Sequence, residues 1–252
     1  MLLALAVVLA LAGCGGGKAS PDEISRAAAK TSHVGSIKAD FTVAGPGAKA
    51  KGSGVFNNKD RSGKLSMELQ VNRRKSKLET IVTGNVLYMR SRVFAQAGIS
   101  GAREWVKLDL AQLARQRGVD LSSLVNASPT PSSVLGYLGG SSTAKKIGDE
   151  SVLGVKTTHY RVTADLQRAA AHARGSTSES IRRVIRISGL KQLPVDAWLD
   201  GNGYLRKVSW AEHTSPQQAA RVTMELHDFG SPVTIEPPAG RVVDLLARLG
   251  GG

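Results

Sequence analysis

Apolar and polar residues alternate most clearly along residues 65–72 of the chain. The apolar positions of this segment are Leu65, Met67, Leu69 and Val71. Strict alternation over eight residues indicates a β-strand with one buried and one solvent-facing side. Three shorter stretches share this period, at 160–164, 195–199 and 222–226. A short apolar run at 86–89 is a further strand candidate. The pattern therefore predicts a protein built mainly of strands.

Turn-forming residues separate these predicted strands. They lie at Asn57–Asp60, Thr83–Asn85 and Asp200–Gly203. Gly, Asn and Asp adopt the backbone conformations that tight hairpins require, and the spacings are typical of hairpins. We therefore expect an antiparallel, meandering sheet.

Helical patterns interrupt the predicted strands. The segment Ser20-Pro21-Asp22-Glu23 is a capping box with Pro at the first helical position, and it predicts a helix that ends near Ser32. Further helices are predicted at Asp109–Arg117, Thr130–Gly139, Asp165–Ser188 with a break at Gly175–Ser178, and Val242–Leu249.

Residues 1–13 have the character of a signal peptide. Met1–Ala10 carry no charge, and Leu11-Ala12-Gly13-Cys14 matches a lipobox, whose Cys sulfur takes a diacylglyceryl group. We expect cleavage after residue 13, lipidation of Cys14, a flexible tether over residues 14–20 and a single domain over residues 21–252. No Lys or Arg precedes Lys18, although signal peptides open with basic residues, which leaves open whether Met1 is an internal start.

The chain is strongly basic, with 34 Lys and Arg against 20 Asp and Glu, a formal charge of +14. Such a surface favours anionic partners, and anionic phospholipid headgroups are the first that an anchored protein meets. Two interpretations stay open: attraction of the domain to its own membrane, or ordinary solubilising charge. Only 4% of the residues are aromatic, which disfavours base stacking, so nucleic acid is not an expected partner.

The sequence gives no pattern for an enzyme or a metal site. It has no Gly-x-Ser-x-Gly motif, and its five His residues are not paired at zinc-ligand spacings. Asp200–Gly203 is similar to the start of a calcium loop, but Tyr204 takes the third ligand position and no Glu follows at the twelfth. We therefore favour a hairpin turn there and expect no catalytic residues, no cofactor and no metal.

Five motifs occur in a characteristic order. They are Gly84–Met89, Gly148–Tyr160, Pro194–Asp200, Leu205–Val208 and Asp228–Val233. In this order they resemble the LppX, LprA, LprF and LprG family of actinobacterial lipoproteins, over roughly residues 84–233. The resemblance implies an α+β, LolA-like fold: a strongly curved antiparallel β-sheet (half-barrel) with helices covering one face. It also implies an apolar cavity that holds acyl chains of lipids or glycolipids.

Two groups of apolar residues are candidates for the lining of this cavity. The strand group is Leu65, Met67, Leu69, Val71, Leu87 and Met89, and the helix group is Val134, Leu135 and Leu138. The strand group has a second interpretation, a filled core, which the residues alone favour. The helix group suits either a mobile lid or an ordinary packing helix.

We therefore predict a monomeric, non-enzymatic lipoprotein on the extracytoplasmic face of the cell membrane. It would bind or carry an acylated lipid or glycolipid by burying the chains away from water. The alternative is an envelope scaffold with a filled core and a basic face for anionic polymers or membrane. A weak hydrolase is a third class, for which the sequence offers no residues.

Overall fold

The computed structural model describes residues 20–72, 74–117, 131–215 and 218–250. Its strands are β1 (Ser36–Gly45), β2 (Ala48–Asn57), β3 (Ser62–Val71), β4 (Arg74–Thr83), β5 (Val86–Ser91), β6 (Trp105–Asp109), β7 (Ser141–Val152), β8 (Val155–Asp165), β9 (Gln192–Asp200), β10 (Leu205–Ser215), β11 (Gln218–His227) and β12 (Val242–Asp244). Its helices are α1 (Pro21–Ser32), α2 (Arg92–Gln96), α3 (Leu110–Arg117), α4 (Pro131–Leu138), α5 (Leu166–His172), α6 (Gly175–Ser188) and α7 (Leu245–Gly250). The predicted signal peptide, Cys14 and most of the predicted tether lie outside the described residues.

The twelve strands form one sheet in the order β12-β6-β5-β4-β3-β2-β1-β11-β10-β9-β8-β7. Neighbouring strands pair antiparallel, apart from β12, which runs parallel to β6. The sheet is curved and unclosed, and helices pack against it. The predicted fold is therefore confirmed, with one parallel pair in a sheet that we expected to be wholly antiparallel.

The predicted strands and turns are confirmed. Residues 65–71 lie in β3, and the other alternating stretches lie in β5, β8, β9 and β11. Asp200 shows how the β9–β10 turn forms, because its carboxylate accepts hydrogen bonds from the N–H groups of Asn202 and Tyr204, each 2.9 Å long. The second carboxylate oxygen binds the Arg206 guanidinium at 2.6 Å. A hairpin turn thus accounts for the segment that is similar to a calcium loop.

Helix α1 begins where the capping residues predicted. The Ser20 hydroxyl accepts a hydrogen bond from the N–H of Asp22, and the helix buries one face that includes Ile24. At its last turn the hydroxyl of Thr31 accepts a hydrogen bond of 3.0 Å from the N–H of Leu205. This bond ties the end of α1 to the start of β10.

Two helix predictions are corrected. Val242–Asp244 form β12 instead of the first turn of a helix, because their backbone pairs with the edge strand β6. Helix α7 begins only after Asp244, whose carboxylate accepts hydrogen bonds from the N–H groups of Leu246 and Ala247. The break between α5 and α6 lies at residues 173–174, just before the predicted Gly175–Ser178.

None of the described helices has both the length and the apolar character needed to cross a membrane.

Side chains alternate between two faces of the sheet. On the helix face, buried residues of the central strands such as Phe41, Val208 and Met224 form a core with α1, α4, α5 and α6. The opposite face is crossed at β2–β6 by residues 229–241, which we call the strap. The strap is fixed at both ends, since the N–H of Gly230 donates to the Ser36 carbonyl and the N–H of Trp105 donates to the Arg241 carbonyl.

Candidate functional site

The helix face of β3–β6 carries a continuous set of apolar side chains, which we call the apolar stripe. Its members are Leu65, Met67, Leu69, Val71, Leu78, Val82, Leu87, Met89 and Leu108. The strand register joins them across the sheet, since Met67 lies opposite Leu78 and Leu87 lies opposite both Val82 and Leu108. Val71 is 51% exposed and the other eight members are half-buried. Contiguous apolar surface that is not fully buried is typical of binding sites for ligands, membranes or other proteins.

The stripe begins at the border of the packed core. Leu65 packs against the core cluster that contains Phe41 and Phe56. At the other side of the stripe, Val106 of β6 is fully buried. The apolar surface therefore continues from the core across four strands without an interruption by charge on this face.

Strand β2 allows a close approach of neighbouring side chains between the core and the stripe. Its helix-face positions carry the small residues Ala48, Ala50, Gly52 and Gly54. A Cβ on Gly52 would lie 2.5 Å from the carbonyl oxygen of Ser66 and 2.7 Å from Cγ of Met67. Glycine inside a strand marks such a close approach, so Met67 lies almost directly on the β2 backbone. Sequence reasoning missed this feature, although small residues at every second position of 48–54 are its signal.

The structure brings the predicted strand group together. Leu65, Met67, Leu69, Val71, Leu87 and Met89 all point to the helix face and all belong to the stripe. The residues that sequence reasoning did not select are Leu78, Val82 and Leu108. Their strands alternate less cleanly, and only the pairing register reveals which face they occupy.

The predicted helix group lies in the packed core and not in the stripe. Val134, Leu135 and Leu138 of α4 are 6%, 1% and 0% exposed. Helix α4 packs against α1, where the Ser25 hydroxyl donates to the Leu138 carbonyl at 3.1 Å. Of the two interpretations of this helix, the structure favours a packing helix. Its first turn still borders the stripe strands, because Ser132 hydrogen bonds to Asn58 in the β2–β3 turn.

A cleft of about 480 Å³ lies on the opposite face, between the strap and β2–β6. Its strand residues are Val55, Lys64, Ile81, Arg90 and Trp105. The Arg90 guanidinium binds the Glu79 carboxylate at 2.8 Å and lies 4.5 Å from the centre of the Trp105 ring. Charged groups lose hydration when hydrocarbon covers them. This cleft is therefore a poor place for an acyl chain, unlike the stripe.

A polar cluster occupies the opposite face at β7–β9. His159 stacks on Trp198 with 4.1 Å between ring centres, and its two ring nitrogens lie 2.9 Å from Glu150 and 3.2 Å from Asp196. The pKa of the Glu150 carboxyl is lowered, first by the hydrogen bond that the Trp198 indole donates and further by His159. Within the described residues no group of His, Cys, Asp and Glu is arranged to hold a metal ion. The contacts of the cluster join β7, β8 and β9 across the sheet.

No protein-family model matches the sequence. An uncharacterised 31.2 kDa protein of Streptomyces griseus, from the rplA–rplJ intergenic region, is 29% identical over 152 residues. This match covers 58% of the chain and 49% of that protein, so the chain spans about half the length of the curated relative it matches.

Two solved structures are similar over almost their whole length. LprF from Mycobacterium bovis has 17% sequence identity and a TM-score of 0.53, and the match covers 89% of this chain and 100% of LprF. The Mycobacterium tuberculosis lipoprotein LppX has 14% identity and a TM-score of 0.51, and the match covers 86% of this chain and 97% of LppX. At this level of identity the likeness concerns the fold, and the chain thus has the fold of LprF and of the lipoprotein LppX, as its sequence motifs predicted.

Proposed function

We propose that this protein is a lipoprotein of the cell envelope that binds the acyl chains of a lipid or glycolipid on the apolar stripe. The observation that carries the proposal is the incomplete burial of nine apolar side chains on four neighbouring strands, directly beside a packed core. The fold shared with the lipoprotein LppX supports an envelope lipoprotein. In this proposal the protein is a monomeric carrier and not an enzyme.

The chemistry of the stripe suits hydrocarbon. An acyl chain needs no hydrogen-bond partners, and the non-apolar helix-face positions among the stripe strands are the uncharged Ser76, Thr80 and Ser91 and the terminal Arg74. Burial of each methylene group contributes about 0.8 kcal/mol. A chain laid across several strands therefore gains affinity with its length, while the neutral surface imposes little choice of headgroup.

The membrane attachment belongs to the same proposal. Lipidation of Cys14 would hold the domain at the extracytoplasmic face of the cell membrane, within reach of the lipids that it binds. The residues of the tether between Cys14 and α1 are small, apart from the charged Lys18, which suits a flexible link.

The test is extraction and mass spectrometry of noncovalently bound lipid from the protein purified from its native envelope. Solvent extraction separates this lipid from any that is attached at Cys14. The test variant combines Met67→Asn with Met89→Asn, two half-buried stripe positions. The control is Leu153→Asn, which also replaces an apolar side chain but lies in the β7–β8 turn and is 56% exposed.

We expect the wild type and the control to carry lipid in similar amounts, and the double variant to lose most of it. A wild type without lipid, or a double variant with as much lipid as the wild type, contradicts the proposal. An empty wild type would favour the envelope scaffold with a basic face.

A further inference from the structure

The ends of two hairpins lie side by side at one edge of the sheet. Ala48 of β2 lies opposite Val71 of β3, which in turn lies opposite Arg74 of β4. We call residues 45–51 and 68–77 the hairpin tips; Arg73 is outside the described residues.

The hairpin tips concentrate positive charge. Five exposed cations lie there: Lys77 pairs with Glu79, and the other four are Lys49, Lys51, Arg74 and Lys75. None of the four takes part in the ion pairs found among the described residues. Among the described tip residues the one acidic side chain is Glu68, which lies opposite both Lys51 and Lys77.

Several other cations of the sheet pair with acidic neighbours. On β8–β11, for example, Arg161 and Arg221 both pair with Asp196, and Lys207 pairs with Glu225. Because such pairs compensate charge locally, the field of the basic protein is strongest where cations outnumber their acidic neighbours. The hairpin tips are such a place.

The apolar stripe runs out to the same edge. Val71 is the last stripe residue of β3, it is 51% exposed, and Arg74 lies directly opposite it. An exposed apolar side chain flanked by cations matches the two layers of an anionic bilayer surface, with hydrocarbon beneath and phosphate above.

Helix α1 places its first residue towards this edge. The register through β11, β10 and β9 puts Ala44 of β1 and Ala164 of β8 at the same edge of the sheet. Near its start, α1 binds Leu138, and the Leu138 carbonyl also accepts a bond from Ser141, which lies opposite Ala164. At its end α1 binds Leu205, at the other edge of the sheet. Ser20, the first described residue, therefore lies on the side of the hairpin tips.

We propose that the hairpin tips dock on an anionic phospholipid surface, with Val71 in contact with the bilayer and the four cations against headgroup phosphates. The docking is inferred from the charge and exposure of the tips. Its purpose would be the passage of a lipid between the bilayer and the stripe, and this part rests on the proposed function. In this orientation the stripe opens towards the membrane.

The test measures vesicle binding of the full chain carrying Cys14→Ala, so that no lipid anchor contributes. The vesicles contain phosphatidylcholine alone or phosphatidylcholine with phosphatidylglycerol. The tip variant replaces Lys49, Lys51, Arg74 and Lys75 with Gln. A control variant replaces Lys59, Arg61, Lys145 and Lys156 with Gln, which are also exposed and lie away from the tips. The two variants change the net charge equally.

We expect the tip variant to lose more than about tenfold in affinity for phosphatidylglycerol vesicles, since each basic group contributes a several-fold gain at such a surface. The control variant should lose less than about threefold, and binding to phosphatidylcholine alone should not differ between variants. Equal losses in the two variants would mean that net charge alone drives binding, and this outcome overturns the proposal.

Two further measurements separate the remaining outcomes. If the tip variant loses binding to soluble polyglutamate but keeps vesicle binding, the tips serve an anionic polymer and the membrane assignment is wrong. The Met67→Asn, Met89→Asn variant should keep full vesicle binding, because both residues lie back from the tips. The docking proposal can therefore be correct even if no lipid is extracted from the stripe. The lipid-binding proposal can likewise be correct if the tips do not bind vesicles.

Discussion

Leu153 adopts a backbone conformation that is unfavourable for its side chain. Leu153 and Gly154 join β7 to β8 with φ angles of 48° and 79°. Two successive positive φ values describe a mirror-image type I turn, for which Asn-Gly is the preferred pair. Leu in this conformation costs about 1 kcal/mol, and its side chain gains little in return because it is 56% exposed.

Leu153→Asn should therefore raise the free energy of unfolding by about 1 kcal/mol, measured by urea denaturation. Leu153→Ala is the matched control, since it removes the exposed side chain without relieving the backbone. Equal effects of the two substitutions would show that the turn geometry does not limit stability.

The Glu150 carboxylate gives the fold part of its acid sensitivity. Its folded pKa lies below the ordinary value of 4.5, chiefly because the Trp198 indole donates a hydrogen bond to it. A lowered folded pKa stabilises the protein above the unfolded pKa, and this contribution is lost as the pH falls through the folded pKa.

The wild type should consequently be more stable than Glu150→Gln at about pH 7, and the difference should shrink towards about pH 3, below the ordinary pKa of a Glu carboxyl. Urea midpoints of both proteins across this range provide the measurement. A difference that stays constant with pH would show that the loss comes from geometry and not from charge.

At the level of secondary structure, the second residue after α4, Gly140, decides how closely this segment can approach the end of β8 and the start of α5. A Cβ on Gly140 would lie 2.2 Å from the carbonyl oxygen of Asp165 and 2.4 Å from the N atom of Ala169. Both are backbone atoms, and the N–H of Asp165 donates to the Gly140 carbonyl at 2.9 Å. The neighbours therefore cannot yield by rotating a side chain.

Gly140→Ala should destabilise the fold by about 3 kcal/mol, at the upper end for an added methyl group in a packed interior. Thermal unfolding measures this loss. Gly201→Ala is the control, because its Cβ would meet nothing within 4 Å, and it should change stability by only about 0.5 kcal/mol. A stable Gly140→Ala protein would contradict the close approach.

Helix α7 depends on the cap that Asp244 provides. Its carboxylate accepts hydrogen bonds from two N–H groups of the first turn and also lies 3.2 Å from Lys107. Asp244→Ala should cost about 1 kcal/mol in a denaturant titration, whereas Asp244→Asn should keep most of the stability because its amide oxygen still caps the helix. If both substitutions cost the same, the ion pair with Lys107 is the larger contribution.

Local patterns predict most elements of this fold but not their partners. The alternation of Leu65–Val71 places β3 correctly because a strand period needs no tertiary information. The apolar spacing of 242–249 predicts one helix, yet Val242–Asp244 become a strand. The free edge of β6 decides this outcome, and β6 lies more than a hundred residues earlier in the sequence.

For the whole molecule, apolar and polar residues alternate in the same way in both halves of the sheet, but the apolar residues are fully buried in only one half. On β9, Val195 and Ala197 are 4% and 0% exposed because helices pack over that half, whereas Met67 and Met89 on the other half are only half-buried. The sequence was sufficient to select the strand group, but it did not show against which strands the helices pack. For the same reason it placed Val134, Leu135 and Leu138 beside the strand group, although α4 packs with α1 in the core.

The position of a bound acyl chain tests this account most directly. The probe is a phospholipid with a photoreactive diazirine in its acyl chain, crosslinked to the full chain and mapped by peptide mass spectrometry. We expect saturable crosslinks on the helix face of β3–β6, at stripe residues such as Leu69, Leu87 and Met89. Crosslinks confined to the cleft beneath the strap, at Ile81 and Trp105, or crosslinks that excess lipid does not compete away, would contradict it.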